Sequence, residues 1–145
     1  MTYINDPQIP RVMFTPHAKT LLELYIKGTP AEVSGLGTVT LNGNDFLIEQ
    51  IFLFRQVCSP ISTEIFPNSI ADLLYKRVQN NEPVGIIRLW WHSHYRSGVH
   101  WSPTDEATIN EMFPNSDWII SIVGNCKGNY LARLDIFKPI RLSID

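Results

Sequence analysis

The sequence is short of several things, and each shortage narrows what it can do. Only two cysteines occur in its 145 residues, Cys58 and Cys126. They stand in no CxxC spacing, which argues against a thiolate metal cluster. Two thiols allow one disulfide, but reduced cysteines in a cytoplasmic protein are the expectation. There is no basic excess either: twelve Lys and Arg face fourteen Asp and Glu, for a net charge of −2. A nucleic-acid partner, which normally calls for a basic surface, is not expected. No apolar run approaches the roughly 20 residues that cross a bilayer, so no membrane span is expected. Residues 1–10 carry neither the basic nor the apolar region of a secretory signal. Internal repeats and low-complexity tracts are missing as well. What remains is 44% hydrophobic and 18% charged, the mix of a globular chain with enough length for one core. A single domain over residues 1–145 is expected.

Local signals then place the elements. Thr15-Pro16 reads as an N-cap followed by proline at the first helical position. Leu21, Leu22, Tyr25 and Ile26 share a helical stripe that Gly28 ends, giving a helix over 15–27. Two strands, 32–41 and 46–57, flank Asn42-Gly43-Asn44-Asp45, a strong hairpin signal. A second helix over 68–79 carries Ile70, Leu73, Leu74 and Val78 on one stripe. The run 84–91 is almost wholly apolar, as suits a strand buried on both faces. A helix over 102–112 and a closing pair of strands, 118–123 and 130–137, complete the order α-β-β-α-β-α-β-β. That order implies an α+β or mixed α/β fold with helices packed on one sheet.

Chemistry concentrates in Trp91-His92-Ser93-His94-Tyr95-Arg96-Ser97-Gly98-Val99-His100-Trp101-Ser102-Pro103-Thr104-Asp105. His92 and His94 are expected just past the buried strand, where residues i and i+2 of an extended chain point to one side. Asp105 lies in the first turn of the helix that returns after the loop, so its carboxylate is placed to close a third coordination position. Two histidines and one carboxylate leave an open position for water, the layout of catalytic zinc. Zinc in such a site lowers the pKa of bound water to about 7 and polarises a carbonyl. Taken singly, each piece has a plainer reading. An HxH pair carries little specificity, and Ser102-Pro103-Thr104-Asp105 is also a good helix start with a capping box. The two readings of Asp105 are compatible, because a carboxylate has two oxygens.

The full pattern, His92-Ser93-His94, seven residues, Ser102, two residues, Asp105, resembles the signature of the JAMM (MPN-plus, JAB domain) zinc metalloproteases. The resemblance implies the cytidine-deaminase-like MPN/JAB fold over nearly the whole chain, a central mixed sheet flanked by helices. It implies a Zn²⁺ cofactor held by His92, His94 and Asp105. It further implies an upstream glutamate as general acid and base, matched here by Glu32 in Glu32-Val33-Ser34-Gly35-Leu36-Gly37, and a motif serine, Ser102, that stabilises the oxyanion. The small residues after Glu32 suit close backbone approach. Spacing alone leaves Glu23, Glu49, Glu64, Glu82, Glu106 and Glu111 open as well, and the plain reading of Glu32 is an exposed charge at a strand end. The activity implied is hydrolysis of an amide or isopeptide bond in a protein or peptide, after the C-terminal tail of a ubiquitin-like protein in many relatives. The chain's length leaves little room for added ubiquitin-gripping segments, which points to a compact bacterial, archaeal or phage type.

One position departs from the family pattern: proline commonly follows the second histidine, and Tyr95 stands there. Tyr95 either lines the cleft or covers an apolar edge. His100 is read as an exposed loop residue, with an alternative ligand or a donor behind a ligand as the other readings. Trp90, Trp91 and Trp101 are assigned to core and cleft wall, Tyr95 and Trp101 being the candidate cleft residues. Two rival functions remain. The same ligand set serves non-haem iron enzymes, although usually on β-rich barrels. A non-catalytic MPN-type scaffold or binding module is the other, against which the intact ligands and Glu32 argue.

Overall fold

The computed structural model of the protein describes residues 9–145. The expectation drawn from residues 1–10 therefore lies almost wholly outside the described residues. The fold is mixed α+β, a central sheet flanked by three helices among the described residues. The first helix, α1 (Pro16–Gly28), begins where the sequence places it, with the Thr15 hydroxyl accepting from the Ala18 amide at 3.2 Å. Ala18, Leu22 and Ile26, four residues apart, are fully buried, and Leu21 and Tyr25 pack against the same cluster.

Strands β2 (Ser34–Asn42) and β3 (Asp45–Leu53) form the expected hairpin, with Asn42 opposite Asp45. Of the two loop residues only Gly43 has positive φ, +62°. That is the arrangement of a turn with glycine first, not one that needs both residues left-handed. The expected long strand over 46–57 is in fact two. The chain leaves the sheet after Leu53, and β4 (Gln56–Cys58) pairs with β5 (Thr63–Ile65) as a separate small hairpin. Two further short strands were not expected: β1 (Val12–Phe14), parallel to β3, and, at the other end, Leu142–Ile144. Three residues are too few for a period to show.

Helix α2 (Pro67–Gln79) follows. Ile70 and Leu73 of its stripe pack inward, whereas Leu74 and Val78 are exposed. The buried residue on this helix is Arg77, which donates twice to the Pro83 carbonyl and once to Gln50. Strand β6 is Ile87–Ser93 rather than 84–91, because residues 84–86 turn before it, Ile87 donating back to the Val84 carbonyl. The shift moves His92 inside the strand. Helix α3 (Pro103–Met112) and strands β7 (Trp118–Gly124) and β8 (Tyr130–Ile136) come next, and Leu142–Ile144 becomes β9.

The seven-stranded sheet runs β1-β3-β2-β6-β7-β8-β9. At its centre β6 lies antiparallel to β2 and parallel to β7. Alternation along β6 decides the faces. Leu89 and Trp91 join the cluster under α1, while Trp90 joins the cluster with Ile109 of α3 and Ile70 and Leu73 of α2. His92, two residues after Trp90, therefore faces α3.

Close packing at this centre depends on small residues of β2, Gly35 and Gly37. A Cβ on Gly35 would overlap the Phe52 carbonyl oxygen and meet the Trp91 ring at 2.6 Å, while the Trp91 indole is pinned by its bond to the Leu36 carbonyl at 3.1 Å. Neither neighbour is a free side-chain end, so G35A is expected to destabilise by about 3 kcal/mol, the upper part of the overpacking range. A lowered urea midpoint with unchanged slope would register it; a wild-type midpoint would refute it.

Candidate metal centre and its cleft

The end of β6 is held from both sides. Ser93 donates its amide to the Val33 carbonyl and His94 its amide to the Gly124 carbonyl, each at 2.9 Å. The chain then turns sharply, with the Ser97 amide bonded back to the His94 carbonyl. Buried Asn125 fastens this turn through its side-chain amide to the Ser97 carbonyl at 3.0 Å, while its oxygen accepts from the amides of Lys127 and Asn129. From the other direction α3 starts on a complete capping box. The Ser102 hydroxyl accepts from the Asp105 amide at 3.1 Å, and the Ser102 amide donates to Asp105 Oδ2 at 2.8 Å.

These two anchors bring three ligand atoms together. His92 Nε2 and His94 Nε2 are 3.2 Å apart. Asp105 Oδ1 lies 3.1 Å from His92 Nε2, and Oδ2 lies 3.3 Å from His94 Nε2. Each Asp105 oxygen thus faces a different imidazole, and one ligand atom from each residue lies within 4.8 Å of the others. A tetrahedral ion with bonds of about 2.0–2.1 Å has ligand–ligand edges of about 3.3–3.4 Å, so the His92–His94 edge is already close to that length, and the carboxylate would turn one oxygen toward both nitrogens to hold an ion. The hydrogen bonding of His94 suits a ligand. The Gly98 carbonyl can only accept, so the His94 Nδ1–H donates to it at 3.2 Å and leaves the Nε2 lone pair facing Asp105 in the neutral ring. Burial lowers the pKa of His92, with the Asp105 carboxylate opposing. The His92 ring is held by stacking on Trp90, centroids 4.3 Å apart, and its buried Nδ1 has no hydrogen-bond partner among the described residues. Burial pushes the Asp105 carboxyl up, but hydrogen bonds from His92 and Ser102 outweigh it and hold the pKa at about 2. His92, His94 and Asp105 thus form a buried group able to hold a metal ion.

A cleft of about 280 Å³ opens over this group. Glu32, Trp90 and Ser102 line it together with the three ligand residues. Glu32 precedes β2, and its amide donates to the Ser59 carbonyl at 2.8 Å. Burial raises its carboxyl pKa, His94 opposes this, and Asp105 adds to it. Of the other glutamates left open by spacing, none lines the cleft. The facing wall is the loop of the β4–β5 hairpin, Pro60 to Thr63, an element missed in the sequence. Gln56 clamps that hairpin beside Glu32, its amide nitrogen donating to the Ser34 carbonyl and its oxygen accepting from the Ser34 amide and the Thr63 hydroxyl. Buried Ser93 adds a second tie by accepting from the Val33 amide at 3.0 Å. The visible hints were a glutamine inside an apolar run and a serine between two histidines.

The remaining candidates separate. His100 is exposed, lines the cleft and bonds the same Gly98 carbonyl at 2.9 Å, outside the ligand group. Tyr95 lines an adjoining pocket with Pro30, Pro60 and His94 rather than the metal cleft. Trp101 stands behind His92, ring centroids 6.1 Å apart, and is not part of the cleft wall; Trp91 lies in the core on the other face. Both cysteines are free, as expected. No helix of the described residues is long and apolar enough to cross a membrane.

No family model matches the chain, and no curated protein matches it in sequence. Among solved structures, the solution structure of protein DSY2949 from Desulfitobacterium hafniense is similar over 92% of this chain and 90% of that one, with a TM-score of 0.64 and 13% identity. At that identity the likeness shows a shared fold alone: the α+β arrangement around the site is one that another protein adopts over almost its whole length.

Proposed function

We propose that the protein is a zinc-dependent metallopeptidase or isopeptidase of the JAMM (MPN-plus) type, on the MPN/JAB version of the α+β fold. The observation that carries this reading is that Glu32 and Ser102 open onto the same cleft as the three convergent ligand atoms. His92, His94 and Asp105 would hold the ion. A zinc ion there supplies an easily ionised water and Lewis-acid stabilisation of a carbonyl oxygen. Glu32 takes the proton of the attacking water and passes it to the leaving amine, a shuttle favoured by a carboxylate whose pKa burial has raised. The Ser102 oxygen already accepts from the Asp105 amide, so its O–H remains to donate to the carbonyl oxygen as charge develops there. The substrate is a protein or peptide in extended form. Strand β5 pairs with β4 on one side, and Thr63 at its start lines the cleft, so a tail such as that of a ubiquitin-like protein would enter by adding a strand beside it.

Protein purified without added metal is expected to contain one zinc per chain and to cleave an isopeptide-linked or C-terminal fusion substrate of a ubiquitin-like protein. Chelation should abolish cleavage and zinc should restore it. Iron in place of zinc would overturn the reading in favour of the oxygenase set, and zinc without cleavage of any amide bond would leave a scaffold.

A further inference from the structure

We propose that Arg133 is a positioning residue that acts through Glu106 and Trp101 to aim the Asp105 carboxylate at the metal, with the C-terminal strand β9 completing the device. Arg133 lies on β8 and is 6% exposed. Its guanidinium forms a two-pronged pair with the Glu106 carboxylate, Nη2 to Oε2 being 2.7 Å, and binds the fully buried Asp135 carboxylate through Nε at 3.1 Å. Its Cζ also sits 5.4 Å from the centre of the Trp101 ring. Glu106 follows Asp105 directly, and Trp101 directly precedes Ser102. One rigid group therefore grips the chain on both sides of the capping box that presents the ligand.

That grip is needed because α3 has little else to fix its start. Asp105 and Ile109 are its only buried residues, and Ile109 is a full turn beyond the ligand. An apolar contact there lets the first turn slide, whereas a planar guanidinium fork fixes both distance and orientation. The C-terminal segment closes the arrangement. Arg141 donates to Asp135 at 2.8 Å and to Asn110 of α3 at 3.2 Å, Ser143 donates to Asp135, and the Trp101 indole donates to Asp145 at 3.0 Å. Buried ion networks of this kind are often no more stable than apolar packing of the same volume. What this one adds is geometry, delivered to the metal ligand from behind.

The inference rests on the metal reading of His92, His94 and Asp105, not on the reaction proposed above. It is tested on the full chain by zinc affinity in competition with a chelator, by the visible spectrum of the cobalt-loaded protein and by the melting temperature without metal. E106Q is the decisive variant, since it leaves the Arg133–Asp135 pair intact. It is expected to melt cooperatively, to bind zinc about 10- to 100-fold more weakly, as loss of an outer partner does, and to shift the cobalt spectrum. R133K, which keeps the charge and loses the fork, should move both readouts the same way. E111Q, on the exposed last turn of the same helix, should move neither. Wild-type zinc affinity and cobalt spectrum in E106Q, with or without a lower melting temperature, would overturn the proposal. If His92→Ala took up metal like the wild type, the metal reading would fail and this inference with it. Zinc binding that depends on His92 but supports no hydrolysis would sink only the proposed reaction.

Discussion

Replacing Glu32 with glutamine is expected to lower kcat by about 10² to 10⁴-fold, the share that a positioned general acid and base contributes, while zinc content stays at the wild-type level. The separation follows from the site's construction. Glu32 opens onto the cleft but supplies no atom to the ligand group, and what anchors its segment is its backbone bond to Ser59, which the substitution leaves in place. The same variant has a stability signature of opposite sign. Burial raises the Glu32 pKa above its ordinary value, with His94 opposing, so the folded state holds this proton more tightly than the unfolded chain does. The stabilisation is present below the unfolded pKa and is lost as pH rises through the folded one. At neutral pH the wild type carries the burden of a partly desolvated charge that E32Q lacks. E32Q should therefore melt higher at pH 7, and the difference should shrink toward pH 4. A variant that is less active and more stable is what a strained catalytic group predicts. Unchanged cleavage would remove Glu32 from the mechanism, and loss of zinc along with activity would recast it as part of the metal site.

What could be read from the sequence was whatever is decided locally. Thr15-Pro16 and Ser102-Pro103 start α1 and α3 because cap and proline act within one turn, and Gly43 turns the β2–β3 hairpin on an equally local ground. The histidines of the candidate metal group were legible because the period of a strand is fixed: Trp90 and His92 had to share a face, and His94 continued it. The strand boundary was not. Residues 84–86 are as apolar as the strand that follows, and only tertiary contacts decide that they turn. The three-residue strands β1, β4, β5 and β9 carry no periodicity; they form because a neighbour offers an edge. For that reason the wall of the cleft, the Gln56 clamp and the charge network behind Asp105 stayed hidden. The bonds that seat them join distant residues, such as Ser34 with Gln56 and Glu106 with Arg133.

The sharpest test of the dual role of Asp105 compares two replacements. D105A removes both the third ligand and the side-chain half of the capping box. D105N keeps a carbonyl oxygen for the Ser102 amide and loses the charge. Zinc affinity should fall by more than about 100-fold in both, beyond the loss that follows when only an outer partner of a ligand is removed. Stability without metal should part them: D105A loses a cap worth about 1 kcal/mol, which D105N largely retains. Acid titration adds an independent readout. In the wild type, burial pushes the Asp105 carboxyl up and the bonds from His92 and Ser102 more than reverse this, to about 2. A folded value below the ordinary carboxylate value of about 3.9 means that the charge stabilises the fold above that value, and that this is lost as pH falls toward 2. Both variants lack this acid limb, so their melting temperatures should converge on that of the wild type as pH drops. If D105N binds zinc as tightly as the wild type, the third ligand is not Asp105; His100, the one other imidazole on the cleft, is then the group to replace next.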